Sequence, residues 1–351
     1  MRTTAATIEY LLLFSSISIA TISPSTEQST RPSGLRILQG NDDGWAESNI
    51  RALYKVLTQR GHQTAISAPV RNKSGTGSIS TDWKPLAKPG EYDSVPVGAP
   101  GVAEDPEDPR IWYVNAFPVD GIRFGLDTLA PRLYNRKPDL ILTGPNVGKN
   151  TGVQDPFSGT LGAAAYGSRQ GVPAIAISAD DGNRHSYENV LPDDPSEIYA
   201  NATMRVIDEL VKPNTMEGPS YLPEGCVLNI NLQKAGPQTN CKSANDYKFA
   251  LTTIFGIHHS SGFTHCGSQV LPGEQAVLET HLGCWASVTI IQAGKFIDGS
   301  SAQKQFLLNR APEFFSCPVV SQVEESSEDP SIIDQGIDLI LKAHQSQNLN
   351  I

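Results

Sequence analysis

Short apolar runs alternate with helically spaced apolar residues through the first half of the chain. Residues 35–39 are typical of a buried strand, and the apolar positions within 50–57 recur at helical spacing up to a stop signal at Gly61. Further elements are predicted as strands at 63–69, 139–144 and 172–178, and as a small-residue helix at 159–171. This alternation predicts right-handed strand–helix–strand units around a parallel sheet, and hence an α/β fold.

The pattern changes in three later places. Residues 70–110 are rich in Pro and Gly, which predicts a loop with a hairpin. From Cys226 onward, strands are separated by long polar loops, which favours an antiparallel extension over further strand–helix–strand units. An acidic linker is predicted at 321–331, followed by an amphipathic helix at 332–344. The apolar face of that helix either docks on its own domain or joins a neighbouring subunit.

Composition limits the classes of function. The chain has 351 residues, of which 39% are hydrophobic, so it can bury a full α/β core. Its net charge of −10, without a basic tract, argues against a protein that binds duplex nucleic acid. An acidic protein that binds an anionic small molecule needs a metal ion or backbone donors to offset the repulsion.

The N-terminus has the pattern of a secretory signal. A basic residue precedes an apolar run at 10–20 that is too short to span a bilayer and ends in small residues suited to cleavage. We therefore expect a signal peptide at 1–20, a polar linker at 21–34, and an extracellular protein with no membrane attachment after cleavage. An uncleaved anchor is the alternative. The main domain is predicted at 35–312, and the acidic linker and tail helix occupy 313–351.

All five cysteines lie in the second half of the chain. This distribution favours disulfides in an oxidising compartment, and the odd number leaves one cysteine free or paired between chains. A zinc site is the alternative, although no CxxC pair exists and His265 beside Cys266 is thin support. Asn201 begins an Asn-Ala-Thr acceptor for N-glycosylation, which predicts a glycoprotein.

Four polar stretches lie just past the ends of predicted strands or at a helix start, where ligands bind in sheets of this kind. They are Asn41-Asp42-Asp43-Gly44, Arg71-Asn72-Lys73-Ser74-Gly75, Gly144-Pro145-Asn146 through Asn150, and Ser158-Gly159-Thr160. Taken alone, the first stretch is equally typical of a solvated turn.

Together, the four stretches supply two carboxylates, a hydroxyl and carboxamide oxygens. This all-oxygen set is suited to one divalent ion, Mg²⁺ or Mn²⁺, with Ca²⁺ as a further option. Ser158-Gly159-Thr160 also opens a helix, where backbone N–H groups and the helix dipole favour a phosphate. A hard cation beside a phosphate cradle predicts hydrolysis of phosphate esters.

The order NDDG, RNKSG, TGPNVGKN and SGT resembles the SurE family of metal-dependent nucleotidases and phosphatases, over roughly residues 35–295. The resemblance implies metal ligands at Asp42, Asp43, Ser74 and Asn146. It implies substrate contacts at Gly75, Asn150, Ser158, Gly159 and Thr160. It further implies a Rossmann-like, mostly parallel sheet flanked by helices, with a β-hairpin extension and a C-terminal segment exchanged within a homodimer or tetramer.

The chain departs from the family pattern at the predicted site. After NDDG, Trp45-Ala46-Glu47-Ser48 replaces a His-Ala-Pro-Gly type stretch, and Gly144-Pro145-Asn146 replaces Gly-Ile-Asn. These differences bear on substrate preference more than on metal binding. The cysteine-bearing second half resembles a secreted eukaryotic, fungal branch of the family.

The first functional hypothesis is a secreted, divalent-metal-dependent phosphomonoesterase of the 5'/3'-nucleotidase or acid phosphatase type, acting on nucleoside monophosphates or other small phosphate esters. In this mechanism the cation activates a water, Asp42 or Asp43 takes its proton, and Asn150, Ser158 and Thr160 donate to the phosphoryl oxygens. The alternative is a secreted module that binds ligands on the same scaffold without turnover. A P-loop is disfavoured because GPNVGKNT has the wrong spacing.

Later loops hold further polar residues. Asp180 and Asp181 are expected to be turn residues, with a substrate contact as the alternative, and His185 is expected to be an exposed loop residue. His258 and His259 are likewise expected in a polar loop, and a general acid near the site is their competing role.

Overall fold

A ten-stranded mixed sheet forms the centre of the protein in a computed structural model that describes residues 34–212, 221–256 and 260–319. The strands are β1 (Arg36–Gly40), β2 (Gln63–Pro69), β3 (Val102–Glu104), β4 (Ile111–Val114), β5 (Leu140–Val147), β6 (Ala174–Ala179), β7 (Cys226–Leu232), β8 (Tyr247–Leu251), β9 (Cys284–Gln292) and β10 (Ile297–Asp298). Their order is β10-β9-β7-β6-β5-β1-β2-β4-β3, and β8 pairs with β9 off this path. The strands from β7 to β4 in this order are parallel, whereas β3, β9 and β10 pair antiparallel with their neighbours.

Helices cover both faces of this sheet. They are α1 (Ser48–Gln59), α2 (Pro118–Phe124), α3 (Ala130–Tyr134), α4 (Gly159–Arg169), α5 (Ser196–Val211), α6 (Glu274–Leu278) and α7 (Ser301–Arg310). Consecutive residues of β1 show the two layers, because side chains alternate across a strand. Ile37 packs in a cluster with Leu53 of α1 and Ile207 of α5, whereas Leu38 packs on the other face in a cluster with Ile122 of α2.

The pattern of the first half is confirmed. The predicted strands are present as β1, β2, β5 and β6, and the two predicted helices are present as α1 and α4. The hairpin expected near residue 110 is formed by β3 and β4, which pair antiparallel. The helix α2 follows Phe117 without having been predicted, because its short apolar segment carries little helical periodicity.

The expectation for Cys226 onward is wrong in one respect. The strand β7 pairs parallel with β6, because α5 provides the crossover between them, so it continues the central sheet. Antiparallel pairing begins only with β9, which runs against β7 and β10. Even there, β8 pairs parallel with β9.

Several predictions lie outside the described residues. They concern the signal peptide and most of the linker at 1–33, the tail at 320–351 with its amphipathic helix, and His258 and His259. Within the described ranges, no helix is both long enough and apolar enough to cross a bilayer.

The cysteines form two disulfides in the second half, as expected. Cys241 is bonded to Cys284 and Cys266 to Cys317, while Cys226 is buried with a free thiol whose pKa is raised to about 11 by burial. The zinc alternative at His265 is wrong, because both thiols beside this histidine are consumed by the second disulfide.

The segment after β5 carries Asn150 and is held by amide side chains of β7. The N–H of Asn150 donates to Asn231 Oδ1 at 2.7 Å, and its carbonyl oxygen accepts from Asn231 Nδ2 at 2.8 Å and from Asn229 Nδ2 at 3.1 Å. Glu274, the first residue of α6, accepts from the N–H of Gly152 at 3.1 Å and from Asn229 Nδ2 at 3.0 Å. The segment is therefore fixed between β7 and α6.

Two buried carboxyl groups lie beside this segment. Asp155 and Glu274 are both fully buried, and neither side-chain oxygen of Asp155 has a hydrogen-bond partner among the described residues. Burial, and then the charge of Glu274, raises the pKa of Asp155 well above its usual value. Burial also raises the pKa of Glu274 to about 8. The folded protein therefore retains protons here that the unfolded chain releases at neutral pH.

We expect the free energy of unfolding to fall as the pH rises from 4.5 to about 8, because Glu274 stays protonated when folded and ionises when unfolded. One such proton contributes a slope of about 1.4 kcal/mol per pH unit at most. Glu274→Gln mimics the protonated acid and should flatten this slope, because a glutamine side chain does not titrate.

Urea denaturation of both proteins across this pH range measures the slope. Glu279→Gln, a change to an exposed acid just after α6, is the matched control and should leave the slope as in the unsubstituted protein. An equally steep fall in Glu274→Gln would contradict this assignment.

Candidate active site

The stretch Asn41–Gly44 forms a turn closed by its own asparagine. Asn41 Nδ2 donates to the carbonyl oxygen of Gly44 at 2.9 Å, and the N–H of Gly44 donates back to Asn41 Oδ1 at 3.2 Å. Gly44 has a φ of 124°, a conformation that side-chain-bearing residues rarely adopt. The alternative of a solvated turn is wrong, because Asp42 is only 2% exposed and Asp43 is 0% exposed.

Asp42 lies against the first residues of α4. Its Oδ1 accepts from the hydroxyl of Thr160 at 2.5 Å, and the carboxylate also accepts from the backbone N–H of Thr160. A Cβ at Gly159 would lie 2.8 Å from Asp42 Cβ, so only glycine permits this approach. Burial raises the pKa of Asp42, while the hydrogen bonds from Thr160 oppose that rise.

The N-terminus of α4 is therefore occupied by a carboxylate of the protein itself. The side chain of Ser158 caps the helix, since its Oγ accepts from the N–H of Leu161 at 3.0 Å. The hydroxyl hydrogen of Thr160 is directed at Asp42, which leaves it no hydrogen for a phosphate. The structure thus shows the side chain of Thr160 as a partner of Asp42, and the substrate contacts expected at Ser158, Gly159 and Thr160 stay predictions.

Asp43 and Asn146 each present one oxygen without a hydrogen-bond partner. Asp43 Oδ2 accepts from the N–H of Val147 at 2.8 Å, and Asn146 Nδ2 donates to the carbonyl oxygen of Gly148 at 2.6 Å. Asp43 Oδ1 and Asn146 Oδ1 are buried and unpartnered among the described residues. The register between β5 and β6 shifts at residues 143–146, and the hydrogen bond from Val147 joins this end of β5 to the aspartate turn.

These atoms fit a hard divalent cation. The unpartnered atoms are a carboxylate oxygen and a carboxamide oxygen, the ligand types that Mg²⁺ and Mn²⁺ favour. Burial, and then the charge of Asp42, raises the pKa of Asp43 well above its usual value. A cation offsets both effects, because it stabilises the ionised carboxylate.

Ser74 and Gly75 lie in an exposed loop after β2. The N–H of Ser74 donates to Asn72 Oδ1 at 2.7 Å, and the preceding N–H, of Lys73, donates to the carbonyl oxygen of Asp42 at 2.6 Å. Gly75 has a φ of 75°. The structure therefore anchors this loop to the aspartate turn, and the roles of Ser74 and Gly75 stay predictions.

Asn150 lies in the segment fixed by β7 and α6. Its Nδ2 donates to Ser178 Oγ at 2.8 Å, which engages one of the two amide hydrogens. The role of Asn150 as a substrate contact also stays a prediction.

Sequence reasoning missed Glu47, a buried acid close to the aspartate turn. Glu47 is 0% exposed, and its Oε2 accepts from the hydroxyl of Tyr92 at 2.5 Å while its Oε1 accepts from the N–H of His185 at 3.2 Å. Burial raises the pKa of Glu47, and the hydrogen bond from Tyr92 opposes the rise. The only available signal was the departure of residues 45–48 from the family pattern.

The expectation that His185 is exposed is wrong. His185 is mostly buried and its Nε2 contacts the carboxylate of Asp194. Asp181 is buried and its Oδ2 accepts from the hydroxyl of Tyr199 at 3.3 Å. Asp180 is partly exposed, with Lys149 Nζ at 3.7 Å.

We expect Thr160→Val to lower the free energy of unfolding by about 1–3 kcal/mol, because it removes the hydroxyl donor from a buried carboxylate. Thr160→Ser keeps the hydroxyl and is the matched variant. Although valine buries more apolar surface, the valine variant should be the less stable of the two in urea denaturation. If the valine variant were as stable as the serine variant, the hydroxyl of Thr160 would not stabilise the buried carboxylate of Asp42.

The chain was compared with known proteins. The family described as "Survival protein SurE" matches residues 37–256. An acid phosphatase of Yarrowia lipolytica is 33% identical over 306 residues, which cover 78% of this chain and 84% of that protein. The 5'-nucleotidase SurE of Gloeobacter violaceus is 32% identical, over 56% of this chain and 64% of its own length.

A further relative, the 5'-nucleotidase SurE of Solidesulfovibrio magneticus, is 37% identical over 42% of this chain and 51% of its own length. The crystal structure of the SurE protein from Aquifex aeolicus aligns with a TM-score of 0.50 and 22% identity, covering 74% of this chain and 93% of that one. This structural likeness bears on the fold alone. The family match spans β1 to the end of β8 and includes all the predicted site residues. This chain belongs to the SurE family.

Proposed function

We propose that this protein is a divalent-metal-dependent phosphomonoesterase that hydrolyses nucleoside monophosphates or other small phosphate esters. The relatives named acid phosphatase and 5'-nucleotidase support this class of reaction. The observation that carries the proposal is the pair of unpartnered buried oxygens, Asp43 Oδ1 and Asn146 Oδ1, beside the helix-bound carboxylate of Asp42. Buried polar atoms are rarely left unpaired without a ligand or a water.

Asp42, Asp43 and Asn146 would hold the cation, with Ser74 as a fourth ligand from the loop that Lys73 ties to Asp42. When bound, a divalent cation polarises a phosphoryl oxygen and lowers the pKa of a water. Thr160 and the start of α4 fix the orientation of the Asp42 carboxylate, so the metal side of the site is preorganised. Asn150, held on both sides of its peptide by β7, keeps one amide hydrogen for the substrate.

We also propose that the mature protein acts outside the cell. The apolar run at 10–20, the acceptor at Asn201 and the two disulfides support this location. A homodimer or tetramer, joined through the amphipathic segment 332–344, is part of the same proposal.

Phosphate release from an aryl phosphate should require Mn²⁺ or Mg²⁺, because the site's oxygen ligands lack any other counter-charge of that strength. A chelator should abolish the activity, and adding back either metal should restore it. Activity that survives chelation would contradict metal dependence. An absence of turnover across both metals, from acidic to neutral pH, would instead favour the non-catalytic ligand-binding module.

Asp43→Asn should lower kcat/KM by about 100-fold or more, since losing even the outer partner of a metal ligand typically costs about 10- to 100-fold. The substitution is isosteric and removes only the charge and one acceptor. Asp82→Asn is the control, because that side chain is 95% exposed. Full activity in a folded Asp43→Asn variant would contradict the proposed site.

A further inference from the structure

Donors at the start of α4 are already partly engaged, so the phosphate of a substrate would gain from a further positive partner. Two neighbouring buried carboxylates repel a phosphate dianion, and one divalent cation balances only their own charge. The hydroxyl and backbone N–H of Thr160 already serve Asp42, and the N–H of Leu161 serves Ser158. A cationic side chain beside the aspartate turn, residues 41–44, would supply this positive charge.

Arg184 is positioned to supply that charge. Glu91 lies against the aspartate turn, since a Cβ added at Gly44 would be 3.7 Å from Glu91 Cβ, and Glu91 is the ion-pair partner of Arg184. The side chain of Arg184 is 37% exposed, and its Nη1 lies 3.8 Å from Glu91 Oε1. That separation is longer than a hydrogen bond, so the ion pair is loose and open to exchange.

The loop that carries Arg184 is fixed to the aspartate turn through Glu47. The N–H of His185 donates to Glu47 Oε1 at 3.2 Å, and the N–H of Ser48 donates to the carbonyl oxygen of His185 at 3.0 Å. The next contact, from the N–H of Tyr187 to the carbonyl oxygen of Ala46, measures 3.1 Å. The residues that directly follow Arg184 are therefore held against residues 46–48, just after the aspartate turn.

Glu91 links Arg184 to the loop that follows β2. Its Oε2 accepts from the N–H of Asn72 at 3.1 Å, in the loop that leads to Ser74. The adjacent Tyr92 donates to Glu47. The carboxylate of Glu91 therefore contacts both the loop that leads to Ser74 and the side chain of Arg184. An oxygen of a bound phosphate can take the place of Glu91 Oε1 beside Arg184.

We propose that Arg184 is an anion-binding residue that contacts the phosphate group of the substrate, and that Glu91 is its partner when no substrate is bound. This inference rests on the proposed function for the identity of the anion. A guanidinium suits the role because its planar N–H groups match two phosphate oxygens at once. On binding, Arg184 exchanges Glu91 for phosphate, and no covalent bond changes.

The test is the affinity for inorganic phosphate, measured by calorimetry on the full mature chain with Mn²⁺ present. Arg184→Ala should weaken phosphate binding by about 10-fold or more, the loss expected for one charge-assisted contact. The phosphate affinity of Arg184→Lys should lie between those of the unsubstituted protein and Arg184→Ala. Arg60→Ala is the matched control, since Arg60 also pairs with a carboxylate, Asp208, at 3.7 Å and is 55% exposed.

Glu91→Gln gives the opposite expectation. Glutamine keeps an acceptor for the N–H of Asn72 but releases the charge of Arg184, so phosphate should bind more tightly by about 2-fold or more. If the ion pair has only a structural role, phosphate affinity should be unchanged in Arg184→Ala and in Glu91→Gln, and both variants should unfold more easily. That result would contradict the inference.

Two further readings separate this inference from the proposed function. The inference is overturned if Arg184→Ala binds phosphate as tightly as the unsubstituted protein. It is also overturned if the unsubstituted protein binds no phosphate. If phosphate binding depends on Arg184 but no ester is hydrolysed, the inference stands and the phosphatase proposal fails. Where turnover occurs, KM and the inhibition constant for phosphate should rise together in Arg184→Ala, while Asp43→Asn acts on kcat.

Discussion

Burying two adjacent carboxyl groups at the edge of a sheet is the constraint to which the surrounding structure responds. Each group resists ionisation through loss of hydration, and the charge of Asp42 further raises the pKa of Asp43. The two are compensated differently: Asp42 receives the hydroxyl and N–H of Thr160, whereas Asp43 receives one N–H from Val147. The remaining oxygen of Asp43 has no hydrogen-bond partner among the described residues. The end of β1, the start of α4 and the irregular end of β5 must therefore meet at one point.

The sequence predicts this meeting point well because it depends on local features. Strand ends, a helix start and the oxygen-bearing residues that follow them are all visible in short stretches, and parallel strands place their carboxyl ends at one edge. The burial of Asp42 and Asp43 could not be read in this way, since Asn-Asp-Asp-Gly is also typical of a solvated turn. The pairing of Thr160 with Asp42 could not be predicted for a related reason: a helix start with free N–H groups and one that holds a distant carboxylate have the same sequence.

The residues that were missed act through partners far away in the chain. Glu47 binds Tyr92 and His185, and Glu274 binds Gly152, pairs that only the folded sheet brings together. The direction of β7 was missed because a run such as CVLNINL fits either a parallel or an antiparallel neighbour. The departure from the family pattern at residues 45–48 has a structural role in this fold. It supplies Glu47, which accepts hydrogen bonds from Tyr92 and from the N–H of His185 and so joins two loops next to the aspartate turn.

The contact between Glu274 and the N–H of Gly152 has a consequence for biosynthesis. Every proposed metal ligand is translated by residue 146, and α4 is complete by residue 169. The anchor at Glu274 emerges from the ribosome more than a hundred residues later, so a nascent chain can form the aspartate turn while the Asn150 segment still lacks its α6 clasp. Ribosome-bound intermediates would then hold the proposed ion-binding residues before the proposed substrate contact at Asn150 is fully fixed in place.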